Sequence, residues 1–185
     1  MRLGLLGLHQ AENAATATAL ALRLCGVRGE EAARRFEPAL RSGLAAACWP
    51  ARLERVAEDP PTYLDAAHTP DAARRLAESL PGLLQGRALV LVAACSADKD
   101  AAAVLGPLVG LAEVVITTRS ARGRDPEALR GLVVGLGCRE VRAVEPVGAA
   151  LAAAQEVARG FGQAWATHHP VGGHGRRGGR GRLRA

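Results

Sequence analysis

Lys99 is the only lysine among 24 basic residues; every other base is arginine. A nucleotide-binding P-loop needs a glycine-rich turn ending in Gly-Lys-Ser/Thr. Lys99 instead sits in SADKDAA, with an aspartate on either side, so the chain carries no such loop. Aromatic residues make up 3% of the sequence and there is one methionine. The apolar half of the composition is therefore mostly Ala, Leu and Val, whose small side chains suit close packing of helix on sheet. No run of about 18 uninterrupted apolar residues occurs, which argues against a membrane-spanning helix. His9, Gln10, Glu12 and Asn13 break up what would be the apolar centre of a secretory leader behind Arg2. Cys25, Cys48, Cys95 and Cys138 are far apart, with no Cys-x-x-Cys and no metal-type spacing to histidine. They are expected to be buried free thiols in a reducing cytoplasm, with no metal site. No Ser/His/Asp arrangement and no GxGxxG following a strand stands out.

The 185 residues suffice for one domain, with appendages. The formal charge of +6 is unevenly spread. Arg176, Arg177, Arg180, Arg182 and Arg184 lie in the tail with no acid among them, and without those five the body is at +1. The body therefore gives no reason to expect a nucleic acid as partner.

Along the chain, 10–24 reads as an Ala/Leu-rich helix ended by Gly26, and VRGEEAARRFEPALRSG as a second, amphipathic one. Two short extended runs, near 52–57 and 62–66, flank the turn chemistry of EDPP. A regular alternation follows. TPDAARRLAESL is helical and RALVLVAAC a strand; SADKDAAAVLGPLVGL is helical and AEVVITT a strand. DPEALRGLVVGLG is helical and REVRAVE a strand; PVGAALAAAQEVARGF is helical and QAWAT a last strand. Apolar strands alternating with helices of this length predict an α/β domain: a three-layer, Rossmann-like, mainly parallel sheet with flanking helices. The tail THHPVGGHGRRGGRGRLRA has almost no large apolar residue, so disorder is expected from about residue 168.

Candidate chemistry clusters where strands end and helices begin, the place ligands take in open parallel sheets. TYL delivers the chain to Asp65, His68 follows in the loop, Thr69 is placed as an N-cap and Pro70 opens the helix. Asp65 can hold a ribose diol and His68 can sit near phosphates at the helix N-terminus; the same pair also reads as a loop aspartate and a surface histidine with no task. Arg52, in WPARLERV, suits forked contact with phosphate, or is one surface arginine among many. The Asn13 amide, in HQAEN, can read a purine edge or satisfy a nearby backbone group. Lys99 can meet an anionic substrate, with Ser96 or Asp98 as N-cap, or simply mark a solvated helix start.

The order of these stretches resembles the carboxyl-terminal part of folylpolyglutamate synthase/dihydrofolate synthase, a branch of the Mur ligases. HQAENAA at 9–15, WPARLE at 49–54, DAAHTP at 65–70 and DKD at 98–100 carry the resemblance, and TTRSARGRDPEAL looks like the family's Arg-containing loop. The match covers roughly 5–165. It implies linker helices over 1–45, a Mur ligase carboxyl-terminal α/β domain over 46–167 and the tail over 168–185. It implies a ligase that joins L-glutamate to a folate or dihydropteroate carboxylate through an acyl phosphate, with ATP and Mg2+. By that resemblance Asn13 contacts adenine, Arg52 phosphate, Asp65 ribose and His68 the nucleotide, where His68 is the candidate catalytic residue; Lys99 remains the candidate substrate contact. Ala51 and Ala66 stand where the family has glycine, a change tolerable only if their φ angles are negative. Thr69 replaces an asparagine and keeps a capping role.

The resemblance also implies that the P-loop core, its Mg2+ ligands and its modified lysine precede Met1 in relatives, so that this chain is inactive without a P-loop partner chain. The Arg/Gly/His/Pro composition after residue 167 fits an out-of-frame reading of GC-rich DNA. Two alternatives stay open: a truncated fragment without function, and a non-enzymatic protein whose GRRGGRGR tail binds RNA, although that tail has no aromatic residue to stack.

Overall fold

The computed structural model describes residues 2–161 and 165–170. Two helices lead, α1 (His9–Leu24) and α2 (Glu30–Ala46). Then come β1 (Glu54–Glu58), β2 (Pro61–Leu64), α3 (Pro70–Leu84), β3 (Leu89–Ala94), α4 (Ala101–Val109) and β4 (Val114–Thr117). The chain continues through α5 (Pro126–Gly135), β5 (Glu140–Ala143), α6 (Val147–Gly160) and β6 (Trp165–Pro170). The strands form one sheet in the order β1-β2-β6-β3-β4-β5. Only β1 runs antiparallel, to β2, through the turn at Asp59 and Pro60; all other pairings are parallel.

Right-handed crossovers explain the layers. From β2 through β3 and β4 to β5 the chain moves steadily one way across the sheet, which sends α3, α4 and α5 to one face. It then returns to slot β6 between β2 and β3, which sends α6 to the other. The core divides accordingly. Leu89, Leu91, Ala93 and Val115 pack with Leu76 and Leu80 of α3, Leu105 and Leu108 of α4 and Leu129 and Val133 of α5. Val90, Val92, Val114 and Ile116 pack against Ala150, Ala154 and Ala158 of α6. Alternation along β3 separates the two sets, and three alanines four residues apart let α6 lie close on the strands. The three-layer, mainly parallel α/β architecture expected from the alternation is the one observed.

Helix starts follow cap chemistry. Thr69 accepts the Ala72 N–H at 3.2 Å and Asp125 the Ala128 N–H at 3.0 Å. The start of α4 differs from expectation. Neither Ser96 nor Asp98 caps it; Asp100 does, accepting the Ala103 N–H at 3.1 Å, while Ser96 bridges to Gly123 and Asp98 pairs with Lys99. The thiols are all free, but only Cys95 and Cys138 are buried; Cys25 and Cys48 are exposed, because they lie just beyond the ends of the poorly covered α1 and α2.

The leading helices barely join the core: α2 buries no residue, and Leu20 and Leu24 of α1 are exposed. The start of α1 is nevertheless fixed to α3. The Leu8 N–H donates to Ser79 Oγ at 3.2 Å, and Arg75 pairs with Glu12 at 3.0 Å. No helix among the described residues is long and apolar enough to cross a membrane. The last strand runs to Pro170, three residues beyond the expected domain end at 167. The Arg/Gly segment, with the disorder and the RNA contact expected of it, lies outside the described residues.

Candidate functional site

Because β2, β6, β3 and β4 are parallel, their carboxyl ends share one rim of the sheet. The loops 65–69, 95–100 and 118–125 rise from it, and the attachment of α1 to α3 brings the HQAEN segment alongside.

Asp65 is the pin of this rim. Its side chain is buried, with Oδ2 accepting the Leu53 N–H at 2.9 Å and Oδ1 the Ala67 N–H at 2.8 Å. The Ala66 N–H adds a bond to the Ala51 carbonyl at 2.9 Å. One carboxylate thus ties the Arg52 loop to the His68 loop. Burial raises the Asp65 pKa above its ordinary value, opposed by those two N–H groups and by Arg52 and His9. Each oxygen keeps a lone pair beyond the bond it already accepts.

Arg52 sits on a bend of unusual backbone. Ala51 has φ 55° and Leu53 φ 46°, both left-handed. The expectation that Ala51 needs a negative φ is therefore not met: it takes the conformation a glycine would take freely, at a cost of about 1 kcal/mol. Ala66, by contrast, keeps a negative φ. Leu53 is held in place because its side chain is buried in the core and its N–H is bound to Asp65. Between them Arg52 is exposed, and its guanidinium forms no ion pair with any described residue.

His9 connects α1 to this bend. Burial lowers its pKa, Arg52 and Arg75 act the same way, and Asp65 and Glu12 oppose them, so the ring lies within electrostatic reach of both Arg52 and Asp65. Its neighbour Gln10 is buried and bonds to both His9 and Asn13. Gln10 and the exposed Asn13 line a small, mainly apolar pocket with Leu3, Leu5, Ala14 and Ala17. A larger groove between α1 and α2, lined by Leu22, Ala33, Leu40 and Leu44, lies away from the rim chemistry.

His68 is exposed, with Nδ1 at 3.1 Å from the Ala66 carbonyl. A carbonyl only accepts, so Nδ1 donates and the neutral ring keeps its lone pair on Nε2. Lys99 occupies the next loop along the rim, paired with Asp98 at 3.4 Å. That loop follows β3, two strands along the sheet from β2, which leads to Asp65. No hydrogen bond joins Asn13, Arg52, His68 and Lys99 to one another among the described residues.

Three roles were not legible in the sequence. Arg124 donates from Nη2 to the Lys99 carbonyl at 2.7 Å, and its N–H donates to the Cys95 carbonyl at 2.8 Å, so it holds the Lys99 loop. Arg119 is fully engaged with Glu145 at 2.6 Å and Asp125 at 2.7 Å, and both partners raise its pKa. His9 and Gln10 are the third case. The first two depend on partners 20 or more residues apart or on loop closure, which leave no local pattern; the third had its signal in HQAEN, where positions 10 and 13 share a helix face.

Residues 51–162, more than half of the 185, match the family described as Mur ligase, glutamate ligase domain. The chain belongs to the Mur ligase family. This Mur ligase chain is 39% identical over 99 residues to the dihydrofolate synthase/folylpolyglutamate synthase of Bacillus subtilis, covering 54% of the chain and 22% of that protein. It is 37% identical over 126 residues to the protein of the same name from Mycobacterium tuberculosis, covering 66% of the chain and 25% of that protein. The solved structure of Mycobacterium tuberculosis folylpolyglutamate synthase complexed with ADP and AMPPCP aligns with a TM-score of 0.81 and 30% identity, over 91% of the chain and 39% of that structure. The chain thus spans about a quarter of the length of these curated relatives, 22% and 25%. The resemblance read from four motifs and the fold it implied are those of the family.

Proposed function

We propose that this chain is the nucleotide-closing domain of an ATP-dependent ligase of the folylpolyglutamate/dihydrofolate synthase type, one that adds L-glutamate to a folate or dihydropteroate carboxylate. The observation that carries the reading is the unpaired Arg52 guanidinium, presented by a strained bend and pinned by Asp65 beside His68 and the HQAEN helix. Strained backbone persists where the surroundings over-determine it, a condition met most often at functional sites.

The residues fit a nucleotide. Asn13, at the mouth of an apolar pocket, meets the base. Asp65 offers its spare lone pairs to the ribose and shapes the loops on either side. Arg52 takes a phosphate in forked geometry, and His68, before the N-terminus of α3, faces the same charge. Lys99, carried on the neighbouring loop, meets a carboxylate of the amino-acid substrate. When bound, ATP supplies the phosphoryl group that activates the acceptor acid. The residues do not fit Mg2+: no group of three or more His, Cys, Asp or Glu able to hold a metal occurs among the described residues. The ion's ligands and the phosphate loop must come from a P-loop core, and the exposed Leu20, Leu24 and Phe36 of α1 and α2 are the surface we assign to it. Exposed free thiols at Cys25 and Cys48 suit the cytoplasm.

The test is reconstitution. Mixed with a P-loop ligase core, the chain should give ATP- and glutamate-dependent product, and Arg52→Ala should lower kcat/KM by about 100-fold, the loss of one charge-assisted phosphate contact. Arg52→Lys should not restore it, because an ammonium lacks the fork. Product that forms equally well with Arg52→Ala would contradict the reading.

A further inference from the structure

Asn13 does not stand alone. Its Nδ2 donates to Gln10 Oε1 at 3.0 Å, and Gln10 Nε2 lies 2.9 Å from His9 Nε2. An amide nitrogen can only donate, so His9 Nε2 is the acceptor and the ring proton sits on Nδ1. Nδ1 itself is buried and has no hydrogen-bond partner. Gly7 makes room for the ring: a Cβ there would stand 2.8 Å from His9 Cε1. Gln10 is 4% exposed, and both ends of its amide are already engaged, Oε1 by Asn13 and Nε2 by His9. The direction of every bond in the series is therefore set by the imidazole.

That direction decides what Asn13 can offer. One of its two Nδ2 hydrogens is committed to Gln10. What remains is one acceptor, Oδ1, and one donor. Adenine presents the complement, an amino donor beside the N7 acceptor, whereas guanine presents two acceptors, O6 and N7, and needs two donors. We propose that His9 and Gln10 are positioning residues that hold the Asn13 amide with a single free donor and so select an adenine over a guanine nucleotide. The inference rests on Asn13 meeting the base, as proposed above.

Protonation would reverse the series. A doubly protonated His9 has no lone pair for Gln10 Nε2, so Gln10 turns its carbonyl to the ring and its NH2 to Asn13. Asn13 then turns its Oδ1 inward and shows both amide hydrogens outward. Arg52, Arg75, Asp65 and Glu12 are the charged groups that act on His9; burial and the two arginines lower its pKa against the two carboxylates.

The full chain, mixed with a P-loop ligase core, is titrated with ADP and with GDP, and the imidazole nitrogens of His9 are followed by 15N NMR. Wild type should show the Nδ1–H tautomer at neutral pH and bind ADP about tenfold tighter than GDP, the scale of one bidentate base contact. Gln10→Leu frees the second Asn13 donor and should bring the two nucleotides within about threefold. Gln10→Glu still accepts from Asn13 and should restore the preference while moving the ring proton to Nε2, a result that a purely structural role for Gln10 would not give. An Nε2–H tautomer in wild type, or an unchanged ratio in Gln10→Leu, overturns the positioning role and leaves the base contact standing. Binding of neither nucleotide, with the Nδ1–H tautomer intact, overturns the base contact and the selection with it.

Discussion

Ala51 and Leu53 hold Arg52 between two left-handed residues, and only Leu53 gains a buried side chain in return. Ala51→Gly should therefore stabilise the chain by about 1 kcal/mol in urea unfolding, since it relieves the Cβ clash and its N–H and C=O bonds are kept. An unchanged or lower midpoint would show that Ala51 carries no strain. His9 supplies a pH-dependent prediction. Its folded pKa is lowered, so its contribution to stability is present above the ordinary imidazole value of about 6.5 and is lost as pH falls through the folded value. Wild type should lose stability relative to His9→Gln between about pH 7 and pH 5; parallel curves would contradict a half-buried ring whose pKa is lowered in the folded state. Asp65 has the opposite sign: its folded pKa is raised, so its contribution is full below the ordinary aspartate value and lost as pH rises through the folded one. At this scale the sequence was only partly legible. Asp65 could be placed at a strand end from TYLD, but its partnership with the Leu53 N–H, 12 residues away, follows from loop closure and leaves no local signal.

At the scale of elements, β3 and β4 were legible because LVLVAA and VVIT are short, continuous apolar runs, as strands covered on both faces must be. The start of α4 was misplaced because SADKD offers three cap residues at alternate positions and tertiary bonds, not propensity, chose Asp100: Ser96 is held by Gly123 across the rim. The order of the sheet was not legible either. Slotting β6 between β2 and β3 depends on pairing over more than 70 residues, which periodicity does not record. The helix α6 shows the packing logic most simply. Ala150, Ala154 and Ala158 are at or below 1% exposure against the valines of β3 and β4. Ala154→Leu should destabilise by about 1–3 kcal/mol, because the added methylenes have no space between helix and sheet. A urea midpoint equal to wild type would show that α6 can move away from the strands at no cost.

At the scale of the whole molecule, two unequal parts are joined. The sheet domain is closed by helices on both faces, whereas α1 and α2 lie outside it, held to α3 through Leu8, Glu12 and the partners Ser79 and Arg75. That attachment brings His9 within electrostatic reach of Arg52, and the nucleotide proposed above would bridge a helix outside the domain and the rim within it. The most direct test is an NMR shift map of the chain bound to ADP in the presence of a P-loop ligase core. The account predicts that the nucleotide-dependent shifts fall together on residues 9–13, 51–53 and 65–69 and spare α5 and β5. Shifts absent from any one of those three segments, or centred on the far edge of the sheet, would contradict it.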